Sequence, residues 1–237
     1  MARNVKDLAL MLDAGVGHQI DDPLSFDHAG PSFSAALKEK GQLKPAASSP
    51  ILAITPVDKE IVKIFGEANF KLYELGAEVT DDIPDFSDVS EAFQTLRSVL
   101  FATMMEPILI QHRERIAREI IGNIERGLKI TPQKIFQAER VRIELYRRVI
   151  SFFETHDFLI CPAASIAPFP VEQRFVSQIN GKPCETYIDW FAITFALTMT
   201  ACPTIAIPCG FTSEGLPVGV QIMGKPRGEA KLLSVAK

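Results

Sequence analysis

The chain has 237 residues, is 47% apolar and carries a formal charge of −4, enough to bury one large core or two small ones. Without a block of like charge it shows no electrostatic footprint for nucleic acid, and its four cysteines include no C-x-x-C pair, so neither a disulfide scaffold nor a zinc site is suggested. No run of about 18 apolar residues and no signal-peptide pattern is seen; the expectation is a cytoplasmic protein in a reducing compartment, with no membrane partner.

In chain order, "MARNVKDLALMLDAGVG" predicts a helix that Asn4 caps, with Asp7 three residues on, Leu8, Met11 and Leu12 on one face, and Gly15 and Gly17 stopping it. The "GVGHQI" that follows lacks the third glycine of a phosphate loop and succeeds a helix rather than a strand. Residues 21–50 read as a proline-punctuated connector. "ILAI" at 51–54 reads as a strand. A helix starting at Thr55-Pro56 follows, with Ile61, Ile64, Phe65, Ala68 and Leu72 as its stripe and Gly76 as its end, and "AEVTDDI" resumes extended structure. Together these predict a βαβ unit with a parallel pair.

Residues 88–155 read as helices, with Pro107 a kink or break and Thr131-Pro132 a restart. The basic "RVRIELYRR" alternates at helical spacing and reads as a solvated face. "DFLICPAA" is a fully apolar strand ending in the proline-rich "SIAPFPVEQ", at a strand C-terminus where open α/β folds place their sites. "CETYIDWFAITFALTMTA" reads as one mostly apolar helix. "TIAIPCGF" and "PVGVQIMG" are two strands around the "SEG" turn, with Pro208 and Pro217 marking an edge or a strand start.

Few residues offer chemistry. There is no G-x-S-x-G elbow. Ser48-Ser49, near Lys44, lack the glycines that let backbone amides reach an oxyanion, and read as loop residues. His156 precedes Cys161 by five residues, but strand alternation separates them, and His156 suits a helix C-terminus. The four histidines have no metal-ligand spacing, and the acidic runs lack the alternation of a calcium loop, so no metal site is expected. What remains is a pocket wall: Tyr187, Trp190 and Ile193, at helical spacing just after a loop, are the expected substrate-binding residues, although such a stripe also suits a core.

"CPTIAIPCGFTSEGLPVGVQIMGKPRGEAKLL" closely resembles the C-terminal signature of the amidase signature hydrolases. "FFETHDFLICPAASIAPFPVE" is similar to that family's strand before the substrate loop, "MARNVKDLALMLDAGVGHQIDDP" to the helix and Asp-Pro connector after its catalytic core, and "TPVDKEIVKIFGEANFKLYELGAEV" to its middle βαβ unit. Within the family the chain looks like the bacterial amidases that resemble the glutamyl-tRNA amidotransferase subunit of the same fold. The resemblance implies an α/β fold, an α/β/α sandwich around a mixed sheet, and amide hydrolysis without a cofactor. It also implies a serine nucleophile, a bridging cis-serine and a lysine as the final proton acceptor.

None of those three residues maps onto this sequence, so no catalytic residue is assigned; the family places them upstream of Met1. The resemblance thus makes residues 1–237 the C-terminal part of a single amidase domain with its N-terminal catalytic portion absent. Its parts are a helix and connector (1–50), the βαβ unit (51–85), a helical segment (86–156), and strands with a substrate-side helix (157–237). The chain alone is expected to be inert toward amides and to expose apolar faces and unpaired edges. Its expected partners are a small-molecule amide and either a second copy or the missing N-terminal portion. Two rival readings are a non-catalytic small-molecule-binding or scaffold protein built on the half-fold, and a cysteine hydrolase using Cys161 or Cys209.

Overall fold

The computed structural model describes residues 1–38, 41–42, 45–50, 53–74 and 76–237. The helices described are α1 (Val5–Gly15), α2 (Phe33–Ala36), α3 (Lys59–Glu74), α4 (Val89–His112), α5 (Arg118–Leu128), α6 (Pro132–Thr155), α7 (Ala192–Thr198) and α8 (Glu229–Ala236). The strands are β1 (Ala46–Ser48), β2 (Val79–Thr80), β3 (Phe158–Pro162), β4 (Gln178–Ile179), β5 (Lys182–Pro183), β6 (Thr204–Phe211) and β7 (Pro217–Gly224). Five of them form a mixed sheet in the order β2-β1-β3-β7-β6, and β4 and β5 form a separate ribbon. β1 is parallel to both β2 and β3, whereas β7 is antiparallel to β3 and β6.

β3 explains the layering. All five of its residues are buried, as befits a strand covered on both faces. Its alternate side chains point to opposite sides. Leu159 and Cys161 pack with Leu145 and Val149 of α6 and Ile193 and Leu197 of α7. Phe158 and Ile160 pack with Ala9 of α1, Phe33 of α2 and Leu232 and Leu233 of α8. The result is the expected α/β/α sandwich on a mixed sheet.

The local expectations fare unevenly. Asn4 does cap α1, its side chain accepting from Asp7 N at 2.9 Å, but Met11 is 53% exposed, and the stripe runs through Ala9 with Leu8 and Leu12 beside it. The parallel βαβ unit is present, with its first strand displaced to Ala46–Ser48. Of "ILAI", Ile51 and Leu52 lie outside the described residues, and Ala53 sits in a bend at φ 56°. The real strand is built from side chains small enough to be enclosed completely; Ala46 and Ala47 are wholly buried. α3 begins later than Thr55-Pro56, because the Asp58 carboxylate accepts Glu60 N at 2.8 Å. It ends as expected at Gly76, whose φ of 83° suits only glycine well. α4 runs from Val89 to His112 across an exposed Pro107 rather than breaking there.

The β6–β7 hairpin matches its sequence. Pro217 opens β7; Pro208 sits in β6, the edge strand, beside an irregularity in register between Pro208 and Gly210. Thr212 N donates to Leu216 O at 2.8 Å across the turn, and Glu60 of α3 accepts Ser213 N at 2.7 Å, tying the hairpin tip to the sandwich. Thr204, Ala206, Pro208 and Phe211 leave β6 exposed along one side.

α5 lies unusually close to α4. A Cβ built on Gly127 would overlap the Ser98 carbonyl oxygen and stand 2.8 Å from Ala102 Cβ, so glycine is what lets the two backbones touch.

Candidate functional site

The C-terminal end of β3 opens a cleft of about 350 Å³. Its walls come from the loop after β3 (Ile166, Pro168, Phe169), from Trp190, and from the start of β7 (Pro217, Gly219). The floor is fixed by hydrogen bonds. Ala163 N donates to Gly219 O at 2.9 Å, and Thr194 Oγ1 donates to Ala163 O at 3.0 Å. The buried Gln221 amide donates to Pro162 O at 3.0 Å and Ile193 O at 3.3 Å, joining β3, β7 and α7. Satisfied buried groups of this kind give a rigid rim.

Trp190 is held by aromatic packing. Its ring meets Phe169 at 5.4 Å and 87°, and Phe191 at 5.1 Å and 80°. Phe191 continues to Phe195, and Phe195 stacks on Phe93 of α4 at 4.1 Å. These are favourable edge-to-face and stacked geometries, and they connect the cleft wall to the core. The segment before Trp190 is pinned by polar contacts. Thr186 N donates to Asp189 Oδ2 at 2.8 Å, and Thr186 Oγ1 to Asp189 Oδ1. Thr55 Oγ1 donates to Asp189 O at 3.1 Å.

The three residues read from sequence as a substrate wall do not converge. Trp190 lines the cleft. Ile193 is 1% exposed and belongs to the core. Tyr187 turns toward α4 and α5, where its hydroxyl accepts from Arg97 Nη2 and from Asn123 Nδ2, both at 2.6 Å. The Arg97 guanidinium also lies 4.7 Å from the Phe101 ring centroid and 5.5 Å from that of Tyr187. The helical spacing misleads because α7 begins only at Ala192; Asp189–Phe191 is a 3₁₀ turn, and Thr186–Asp189 folds the chain before it. Phe169, Ile166, Pro217 and Gly219 line the cleft as well; the sequence pattern marks the proline-rich loop and the hairpin that carry them but singles out none of these side chains.

The nucleophile candidates are locked into the scaffold. Burial pushes the Cys161 thiol up to about 12, only partly offset by the Gln221 side chain. Burial also raises Cys209, despite Lys71 nearby. A thiol pushed up by burial is a poorer source of thiolate, which counts against the cysteine-hydrolase reading. Ser48 lies in β1 and accepts from Asn69 Nδ2 at 2.6 Å; Ser49 N donates to Ile160 O at 3.0 Å. Lys44 lies outside the described residues. His156 closes α6, as its position suggests, stacked on Phe152 at 4.5 Å and hydrogen-bonded with Thr80 Oγ1 at 3.1 Å and Thr155 Oγ1 at 3.0 Å. Ser165, between two residues of the cleft wall, is fully buried, and its hydroxyl has no hydrogen-bond partner among the described residues.

A sandwich with a cleft at this strand end is an α/β scaffold, and comparison with known proteins gives its lineage. The family model described as Amidase matches residues 1–233, and the chain belongs to that family. It is 30% identical over 239 residues to an acylamidase of Rhodococcus erythropolis, covering 100% of this chain and 50% of that protein. It is 26% identical over 261 residues to the glutamyl-tRNA(Gln) amidotransferase subunit of Moorella thermoacetica, covering 100% and 52%. The crystal structure of a bacterial aryl acylamidase of the amidase signature enzymes superposes with a TM-score of 0.87 at 23% identity, covering 99% of this chain and 50% of that one. The chain spans about half the length of the curated relatives it matches. No helix among the described residues is long and apolar enough to cross a membrane.

Proposed function

We propose that this chain serves amide hydrolysis, carboxylic amide to carboxylate plus ammonia or amine, by supplying the sheet and the substrate-facing wall. The nucleophile comes from residues outside Met1–Lys237, on a longer polypeptide or on a partner. The observation that carries this reading is the cleft at the β3 end, walled by Trp190, Phe169 and Pro217, in a chain 30% identical to an acylamidase. The missing chemistry is a hydroxyl activated through a second serine by a neutral lysine, as the family resemblance implies. The substrate is a small amide met in the cytoplasm, and a second copy or the serine- and lysine-bearing portion covers the exposed side of β6. Tyr187 and Ile193 support the wall from behind rather than touching the substrate.

The non-catalytic reading is favoured by the cysteines weighed as nucleophiles, whose thiols burial pushes up. Complementation separates the two. The chain is co-expressed with the serine- and lysine-bearing part of the acylamidase relative, and release of aniline from acetanilide is followed. Turnover that neither piece gives alone, and that Ala167→Phe in the cleft removes, is the expected result. Turnover by the chain alone overturns the proposal; a stable assembly that binds acetanilide without cleaving it establishes the binding reading.

A further inference from the structure

We propose that the cleft takes an aromatic ring bearing a neutral polar group and turns away the same ring bearing a charged one; the inference rests on the hydrolase reading in taking the polar group of the ligand to be an amide. The walls make the case. Phe169 and Trp190 stand almost perpendicular, at 87° and 5.4 Å, so together they form a corner. A third ring entering that corner can stack on one and meet the other edge to face, the two geometries that aromatic quadrupoles favour. Pro168, Pro217, Ile166 and Val218 complete an apolar surround, and Ala164 and Ala167 leave the space open.

The chemistry of the lining is one-sided. Among the described residues, every one that lines the cleft is Ile, Ala, Pro, Phe, Trp, Val or Gly. None can ionise, and the Trp190 indole N–H is the one side-chain donor among them. A carboxylate or ammonium group moved here gives up its hydration with no counter-charge to replace it. An amide is neutral, and its carbonyl can accept a single donor. The volume of about 350 Å³ lies at the small end of ligand sites, which run from about 300 Å³ upward. That is room for a single ring with a short substituent, not for an extended chain.

The chain has one tryptophan, and it lines this cleft, so its emission reports occupancy directly. The purified chain is titrated with benzamide, with benzoate, and with cyclohexanecarboxamide, which keeps the amide and the bulk but not the aromaticity. Benzamide is expected to give a saturable change in emission. Benzoate should bind at least about tenfold more weakly, having lost its hydration without gaining a partner. Cyclohexanecarboxamide and the Phe169→Ala variant with benzamide should each show a loss of about two- to tenfold, the range of an aromatic pair. Phe169→Leu, which keeps the bulk, and a thermal melt of each variant show that the loop still folds. In Trp190→Phe, ligand-observed NMR replaces the fluorescence readout and should still detect benzamide.

Benzoate binding as tightly as benzamide overturns the proposal. So does equal binding of the aromatic and cyclohexyl amides, or no saturable change in a chain whose melt is cooperative. The two proposals fail separately, because binding is read without turnover. A chain that ranks the ligands as expected but never contributes to hydrolysis sinks the hydrolase reading alone. Hydrolysis inhibited equally by benzoate and benzamide sinks only the preference of the cleft for a neutral ligand.

Discussion

Replacing Gly127 with alanine tests the tightest contact in the helical segment, and Gly122 on the same helix provides the control. At Gly127 a new Cβ overlaps the Ser98 carbonyl and comes within 2.8 Å of Ala102 Cβ, so α5 must retreat by roughly an ångström or more to restore normal contact. The obstacle is backbone and cannot rotate aside. Overpacking of this kind costs about 1–3 kcal/mol, while replacing glycine in a helix returns at most about 1 kcal/mol. A rigid backbone obstacle puts the cost at the upper end of that range, so the net expectation is a loss of about 2 kcal/mol, and at about 2–4 °C per kcal/mol for a chain of this size the melting temperature falls by roughly 4–8 °C. At Gly122 a Cβ meets nothing within 4 Å, so Gly122→Ala gains the helix propensity without a clash, up to about 1 kcal/mol. Differential scanning calorimetry on the two variants gives opposite signs if α5 packs as described. Because α5 also carries Asn123, Gly127→Ala should disturb the Tyr187 hydrogen bonds, and Gly122→Ala should not. If Gly127→Ala melts as high as Gly122→Ala, the close approach of α4 and α5 is wrong.

Tyr187→Phe removes the oxygen shared by Arg97 and Asn123. One charged donor and one neutral, buried donor lose an acceptor, and the loss is about 1–3 kcal/mol; an unchanged chemical-denaturation midpoint contradicts this. Asp157 is linked to pH. Burial pushes its carboxyl up, but Lys231 at 2.6 Å and Lys225 at 3.0 Å outweigh burial and hold it below the usual carboxylate range. Its contribution to stability is therefore present above the unfolded value of about 3.9 and is lost as pH falls through the lower folded value. Asp157→Asn should flatten the acid limb of a stability-against-pH curve, and an unchanged limb counts against the pairing. Cys161, with its thiol pushed up to about 12, should resist iodoacetamide in the folded chain and react only in denaturant; peptide mapping that finds it labelled under native conditions shows that the β3 layer is open.

What could be read from the sequence was what local pattern controls. β3 is an unbroken apolar run because it is covered on both sides, and β6 and β7 flank a turn whose Thr212 and Gly215 do what "TSEG" suggests. β1 was misplaced because its burial depends on small size: Ala46, Ala47 and Ser48 carry little strand preference of their own, while the apolar 51–54 attracted the assignment. At the site, Trp190 was legible from its position after a loop. Tyr187 and Ile193 were not, because a helical period was projected back over a segment folded by Thr186 and Asp189. The contact of Tyr187 with Arg97 spans ninety positions, and no local periodicity encodes it. The corner of Phe169 and Trp190 is likewise a tertiary product of two loops.

The division of labour between a substrate wall in this chain and a nucleophile outside it is tested most directly by trapping. The purified chain is incubated with a fluorophosphonate and, separately, with an activated aryl ester, and intact and peptide masses are measured. The expected result is an unmodified chain under both conditions, with labelling appearing only on the serine-bearing portion when the two are assembled. A stoichiometric adduct on any side chain between Met1 and Lys237 contradicts it and places the nucleophile in this chain.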